Sequence, residues 1–326
     1  GARVGELEVL SRDLGQGHEA AHLGRVAQVQ EIRVEGHLAP FARILPGTAS
    51  PGVLACAAMS TQSFELRAPA VALVRSVSRC FDRCLRSGPV APDPARAAEQ
   101  HAAYCAALAD CGAALVVLAA DESAPDACFV EDTAVILGED IVITRPGAAE
   151  RRAEVEAIAG ALASRGRLHP MTAPARLDGG DVMRVGMRLF VGLTGRSDAA
   201  GVEQLAAVAV PLGFEVHAVP LAAGLHLKSA ATVVDAHTVV VYAADLDPAP
   251  FAAAGLEVIV TQEPAAGNVL ALGRRVLISA AAPRLGEQLT ARGLEVGALE
   301  LSEFHRADGA LTCLSLRLPA PGSWCV

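Results

Sequence analysis

Aromatic residues are scarce in this chain of 326 residues: one tryptophan, two tyrosines and eight phenylalanines, or 3%. Paired Cys-x-x-Cys spacing is missing too. The eight cysteines (Cys56, Cys80, Cys84, Cys105, Cys111, Cys128, Cys313 and Cys325) are scattered, which argues against a disulfide framework or a structural zinc site. There is no long basic run, and the formal net charge is −9. Nucleic acid and anionic membrane are poor partners for such a chain. No apolar run reaches the length of a membrane-crossing helix, and the N-terminus lacks a basic segment followed by an apolar one. A cytoplasmic protein, monomer or homodimer, is the expectation. What is abundant is small and aliphatic: hydrophobic residues make up 52%, which suits an ordered α/β protein.

The first 58 residues differ from the rest. They mix charged and small residues without sustained periodicity, and the Pro/Gly/Ser stretch from Leu45 to Gly52 reads as a linker. The expectation is an extension over 1–58, disordered or a start-site artefact, and a single domain over 59–326.

Within that domain a unit repeats. Thr133–Leu137 and Ile141–Thr144 flank a Gly138-Glu139-Asp140 turn, as in a hairpin, and a helical stretch follows over 148–165. The pattern recurs from Val182 to Leu193, from Thr232 to Tyr242 and from Val269 to Ala280, with turns at 186, 236 and 273. Third strands are expected over Phe214–Val219, Leu256–Val260 and Leu294–Leu299. A lone strand over Thr312–Leu318 has no hairpin partner after it, and one over Val71–Val77 has none before it. Pairing the two completes a fifth unit and removes an unpaired edge. The expected fold is an α/β five-bladed ββαβ propeller, closed by the N- and C-terminal strands.

In a circular repeat, the loops before the hairpins open on one face, and the conspicuous polar residues sit in those loops. Asp126, Glu131 and Asp132 precede the first hairpin and Asp178-Gly179-Gly180-Asp181 the second. His226 and Lys228 precede the third, and Asp308 to Cys313 the lone C-terminal strand. Each has a plain explanation alone, as a tight turn, a solvated acid or a core histidine. Together they place a cysteine and a histidine among carboxylates. Carboxylates pair with a guanidinium in bidentate fashion, and a thiolate can add to its carbon once the charge is held and the leaving nitrogen protonated.

Six segments also carry a family resemblance. They are Phe129-Val130-Glu131-Asp132, Ile143-Thr144-Arg145-Pro146-Gly147, Leu177 to Val182, Phe190-Val191-Gly192-Leu193, Gly224-Leu225-His226-Leu227-Lys228-Ser229 and Asp308 to Cys313. In order and spacing, from about Val71 to about Leu318, they resemble the dimethylarginine dimethylaminohydrolase family of the guanidine-modifying (amidinotransferase) superfamily, with its five-unit propeller, the pentein fold. The resemblance implies hydrolysis of asymmetric dimethylarginine and monomethylarginine to citrulline plus dimethylamine or methylamine, without a cofactor. It implies Cys313 as nucleophile, passing through a covalent thiouronium, His226 as general acid then base, and Asp178 as the acid that orients it. It further implies Asp126, Glu131 and Asp132 around the guanidinium, Arg151 and Arg196 on the α-carboxylate, and Leu85, Ala307 and Asp308 as further substrate contacts. No metal is implied; zinc on Cys313 and His226 would be an inhibitor.

Two other readings differ in class or substrate. An arginine deiminase uses the same chemistry but carries aspartate where this chain has Lys228 in His226-Leu227-Lys228. A guanidine-binding protein without activity would have no need of Cys313, His226 and Asp178 together.

Overall fold

In the computed structural model, residues 69–320 are described, together with the backbone of one earlier strand, β1 (Ala42–Ile44). The remainder of the 1–58 segment lies outside the described residues, as do 59–68 and 321–326. From residue 71 the order is β2 (Val71–Arg75), α1 (Pro94–Asp110) and β3 (Ala114–Leu118). Then come β4 (Ala134–Leu137), β5 (Asp140–Ile143), α2 (Glu154–Leu162) and β6 (Arg167–Pro170). The third group is β7 (Val182–Val185), β8 (Arg188–Leu193), α3 (Ala199–Ala209) and β9 (Glu215–Pro220). The fourth is α4 (Leu227–Ala230), β10 (Ala231–Val233), β11 (Thr238–Tyr242), α5 (Ala249–Ala253) and β12 (Glu257–Thr261). The chain continues through β13 (Leu270–Leu272), β14 (Arg275–Ser279), α6 (Pro283–Ala291), β15 (Glu295–Leu299), α7 (Ser302–Arg306) and β16 (Leu316–Leu318).

The strands form five separate open sheets of one α/β fold. In four of them a hairpin is followed by a helix and a strand parallel to the hairpin's second member. In the fifth, the two chain ends share the work. β16 pairs antiparallel with β2, Leu316 opposite Leu73 and Leu318 opposite Val71, and β2 pairs parallel with β3. The expected pairing of the two lone strands is therefore found. β1 adds an antiparallel edge to β9.

The middle strand of each sheet is apolar and nearly all buried, as in β11, Thr-Val-Val-Val-Tyr, because it has a neighbour on both sides and packing on both faces. Helices cover the sheets. On α3, the buried face of Val202, Leu205, Ala206 and Ala209 packs on Leu189, Val191 and Val216, each larger aliphatic side chain contributing about 1.5–3 kcal/mol by leaving water. α1 starts where its sequence says it should. The Asp93 carboxylate accepts from the N–H groups of Ala95 (2.8 Å) and Arg96 (3.3 Å), and Pro94 occupies the first helical position.

Two expected boundaries change. The helix read over 148–165 is a short 3-10 turn, Ala149–Arg151, followed by the shorter α2. The strand read over Thr312–Leu318 opens as a 3-10 turn, Thr312–Leu314, because Thr312 bonds to side chains of other units instead of joining a strand ladder. A short helical turn in fact precedes the leading strand of every sheet: Val130–Thr133, Gly179–Asp181, α4, Pro264–Ala266 and Thr312–Leu314. Among the described residues, no helix is long and apolar enough to cross a membrane.

Candidate active site

These turns bring the polar residues together. One small pocket is lined by Leu85, Asp126, Phe129, Asp132, Arg151, Arg196, Leu225, His226, Ala307, Asp308, Gly309 and Cys313. Nine of the eleven residues singled out in the sequence are on its wall. Asp178 lies behind it and Glu131 faces elsewhere.

His226 is the residue immediately before α4. Its Nε2 lies 2.8 Å from Asp178 Oδ2 and 3.9 Å from Asp132 Oδ1. Asp178 is fully buried and fixed on its other side, since Oδ1 accepts from the N–H of Gly147 at 2.8 Å. Burial would push the imidazole down, but the Asp132, Asp178 and Asp181 carboxylates outweigh it and raise the pKa to about 9. At neutral pH His226 is therefore an imidazolium. Asp181, an acid the sequence reading quoted only as part of a turn, holds the start of α4: Oδ1 accepts from Leu227 N–H at 2.8 Å, while Oδ2 accepts from Thr194 and Ser197 hydroxyls.

Gly180 lets these groups meet. A Cβ at this position would lie 2.6 Å from Asp132 Oδ1 and 2.9 Å from His226 Nδ1. Only glycine allows so close an approach while its N–H donates to Asp132 at 3.0 Å.

Cys313 sits in the turn ahead of β16, the free thiol facing the pocket. Burial raises its pKa first, the Glu131 and Asp132 carboxylates raise it further, and the result is about 12 despite the N–H of Ala310 and the charge of Lys228. The resting group is a thiol.

The two pocket acids differ. Burial pushes the Asp132 carboxyl up, but the His226 and Arg151 cations pull it down to about 2. Asp132 is already engaged, by Arg151 and by Gly180 N–H. Among the described residues, Asp126 accepts only the Leu85 N–H, at 3.1 and 3.2 Å to its two oxygens, and burial raises its pKa. A cationic ligand would relieve that cost.

Arg151 and Glu131 are placed differently from expectation. The Arg151 guanidinium is buried and occupied: it pairs with Asp132 and with Glu154 (2.7 Å), and donates to the carbonyls of Phe129 (2.9 Å) and Asp126 (3.3 Å). Arg196 is more exposed, with a 3.6 Å contact to Asp178. Glu131 turns away. Its carboxylate meets Lys228 Nζ (2.6 Å), Arg317 (2.8 Å) and the Thr312 hydroxyl (2.6 Å), on the wall of a larger cavity bounded by apolar side chains such as Val135, Val182 and Leu270.

The segment 78–93 contributes Leu85 to the pocket wall. Phe81, fully buried, anchors it through ring contacts of 5.8 Å to Phe129 and 5.7 Å to Phe304. Leu85 N–H reaches Asp126, and Ser87 reaches Asp308. Phe129, Leu225 and Gly309 line the pocket without having been singled out. They were legible only as members of quoted motifs. Asp132, Asp178 and His226 form a cluster with metal-ligand atoms within 4.8 Å of one another, but those atoms are mutual hydrogen-bond and charge partners.

The chain is similar to known proteins over most of its length. The arginine deiminase family profile matches residues 121–249. The N(G),N(G)-dimethylarginine dimethylaminohydrolase of Streptomyces coelicolor is 40% identical over 227 residues, 69% of this chain and 87% of that protein. The chain belongs to the dimethylarginine dimethylaminohydrolase family. A second member, from Pseudomonas aeruginosa, is 32% identical over 228 residues, 69% of this chain and 90% of its own length. A solved structure of the family, a cysteine-to-serine mutant from Pseudomonas aeruginosa complexed with citrulline, superposes with a TM-score of 0.73 at 30% identity, covering 78% of this chain and all of that one.

Proposed function

We propose that this protein hydrolyses N-omega-methylated arginines, asymmetric dimethylarginine and monomethylarginine, to citrulline and dimethylamine or methylamine. One observation carries the reading: Cys313 shares a pocket with a carboxylate-backed imidazolium, His226, and with two acids, Asp126 and Asp132. Family membership supports it.

In this reading the guanidinium of the substrate lies against Asp126 and Asp132, its charge replacing the solvation those carboxylates have lost. That same charge lowers the Cys313 pKa, and the thiol loses its proton to solvent. The thiolate sulfur bonds to the guanidinium carbon. His226 gives its proton to the methylated nitrogen, the carbon–nitrogen bond breaks, and the amine leaves, with an S-alkyl thiouronium on Cys313. Neutral His226, still oriented by Asp178, then takes a proton from water. Hydroxide adds to the same carbon, the carbon–sulfur bond breaks as the added hydroxyl gives its proton to solvent, and citrulline leaves with the thiolate restored. Arg196 takes the α-carboxylate with Arg151 on the same wall, while Leu85, Ala307 and Asp308 close around the amino-acid end. Glu131 acts from behind Cys313, through Thr312 and Lys228.

Methylated over plain arginine follows from Lys228. With its ammonium on Glu131, this position offers the pocket no further carboxylate to clamp a second guanidinium edge. We also infer that the five sheets close as a propeller ring, that residues 59–326 are one domain, that the protein works in the cytoplasm, and that zinc acts on Cys313 and His226 only as an inhibitor.

The test is release of citrulline and dimethylamine from asymmetric dimethylarginine, beside arginine and a Cys313→Ser control. Turnover of the methylated substrate above arginine, lost in the control, is expected. Faster ammonia release from arginine would make the protein a deiminase, and binding without turnover of either would make it a guanidine-binding protein.

A further inference from the structure

Four of the five turns supply the polar groups described so far. No candidate was read in the remaining one, the loop 263–269 ahead of β13. In the structure that loop delivers Asn268, a buried side chain. Its Nδ2 donates to the carbonyl of Lys228 (2.8 Å) and to Thr312 Oγ1 (2.9 Å), and its Oδ1 accepts from Thr312 N–H (3.2 Å). Thr312 directly precedes Cys313, and Lys228 is two residues beyond His226.

We infer that Asn268 is a positioning residue, a clamp that holds the turn bearing Cys313 against the turn bearing His226. It rests on the reading of Cys313 and His226 given above. The loop is itself seated for this task. Thr232 Oγ1 donates to Gly267 O (2.9 Å) and accepts from Val269 N–H (2.8 Å), fixing the residues on either side. Gly267 presses on α4 so closely that a Cβ would lie 2.6 Å from Ser229 O.

The chemistry selects asparagine. The Thr312 hydroxyl gives its own proton to Glu131 Oε2 at 2.6 Å, so it can only accept from residue 268. The Lys228 carbonyl also only accepts, whereas the Thr312 N–H only donates. The site therefore needs two donors and one acceptor on a short planar group. Aspartate would turn acceptors toward the Lys228 carbonyl, and alanine would take away the partner of the Thr312 N–H and of the Lys228 carbonyl, leaving the Thr312 hydroxyl with Glu131 alone.

The experiment compares wild type, Asn268→Ala, Cys313→Ser and Thr232→Val. The last loosens the same loop without touching Thr312 or Lys228. For Asn268→Ala, kcat on asymmetric dimethylarginine is expected to fall by on the order of tenfold to a hundredfold, the scale of a small misplacement of reacting groups, with KM changed by less than about threefold. Thr232→Val should lose thermal stability comparably yet keep kcat within about threefold of wild type. Wild-type kcat in Asn268→Ala, or an equal loss in Thr232→Val, would overturn the inference. Should Asn268→Ala not fold, Asn268→Ser is judged by the same comparison. Should wild type itself turn over no methylated arginine, the functional reading fails, and the clamp is read from iodoacetamide alkylation of Cys313, where a rate unchanged in the variant overturns it.

Discussion

Ser87 donates both its backbone N–H (2.6 Å) and its hydroxyl (2.8 Å) to the carboxylate of Asp308, joining the segment that carries Leu85 to the loop that leads to Cys313. The second latch is Leu85 N–H on Asp126. Both catches are therefore carboxylates proposed to meet substrate. Ser87→Ala keeps the N–H bond and removes the other, so we expect KM to rise a few-fold, with kcat near wild type and stability changed by less than about 0.5 kcal/mol. Steady-state kinetics of the variant checks this, and a fall in kcat at constant KM would contradict it.

Cys313, with a pKa raised to about 12, should be sluggish toward alkylating agents in the free protein. The inactivation rate with iodoacetamide is expected to climb with pH beyond 9 without a plateau below pH 8. A plateau near neutrality would mean a resting thiolate instead.

His226 and Asp132 make stability depend on pH in opposite directions. The folded state raises the histidine from 6.5 to about 9, so its contribution is complete below about pH 6.5 and fades as pH rises through 9. The aspartate is lowered from 3.8 to about 2, so its contribution is complete above about pH 4 and is lost as pH falls through 2. Asp132→Asn removes the carboxylate that most raises the histidine and breaks a buried pair with Arg151. We expect a loss of about 3 kcal/mol and a His226 titration shifted below 9, read by denaturant melts and by NMR of the imidazole.

Gly309→Ala tests the pocket wall. A Cβ there would lie 2.3 Å from Phe129 Cε1, and Phe129 is held by Phe81 and Phe304 at ring distances of 5.8 and 6.1 Å. Overpacking of this kind costs about 1–3 kcal/mol, and a displaced Phe129 narrows the pocket. Thermal melts and KM should both respond; a silent substitution would show that Phe129 moves freely.

The sequence was most readable where chemistry and periodicity coincide. Hairpins announced themselves through β-branched runs around turns, and the split unit could be read because each lone strand lacked a partner. Cys313, His226 and Asp126 were legible for the same reason, each a reactive or charged type at an equivalent point of the repeat. Direction was not legible. Nothing in Glu131-Asp132 says which side chain faces the pocket, because a short helical turn sends neighbours to opposite sides. Nor does Arg151 announce that Glu154, one turn later, shares its charge. Asn268 escaped entirely: its role lies in bonds to residues 40 and 44 positions away, and an amide in a Pro-Ala-Ala-Gly loop carries no local signal.

Because β16 completes the sheet begun by β2, these two strands can meet only after everything between them has been made. Long-range pairing of this kind forms late and slowly. The proposed nucleophile sits on the turn that leads into β16, so during synthesis it leaves the ribosome behind every group proposed to assist it. An unfinished chain lacks Cys313 altogether, and a finished one gains the thiol together with the strand that seats it. Chemical competence is thus tied to completed folding, and a partly made chain carries no reactive thiol from this site.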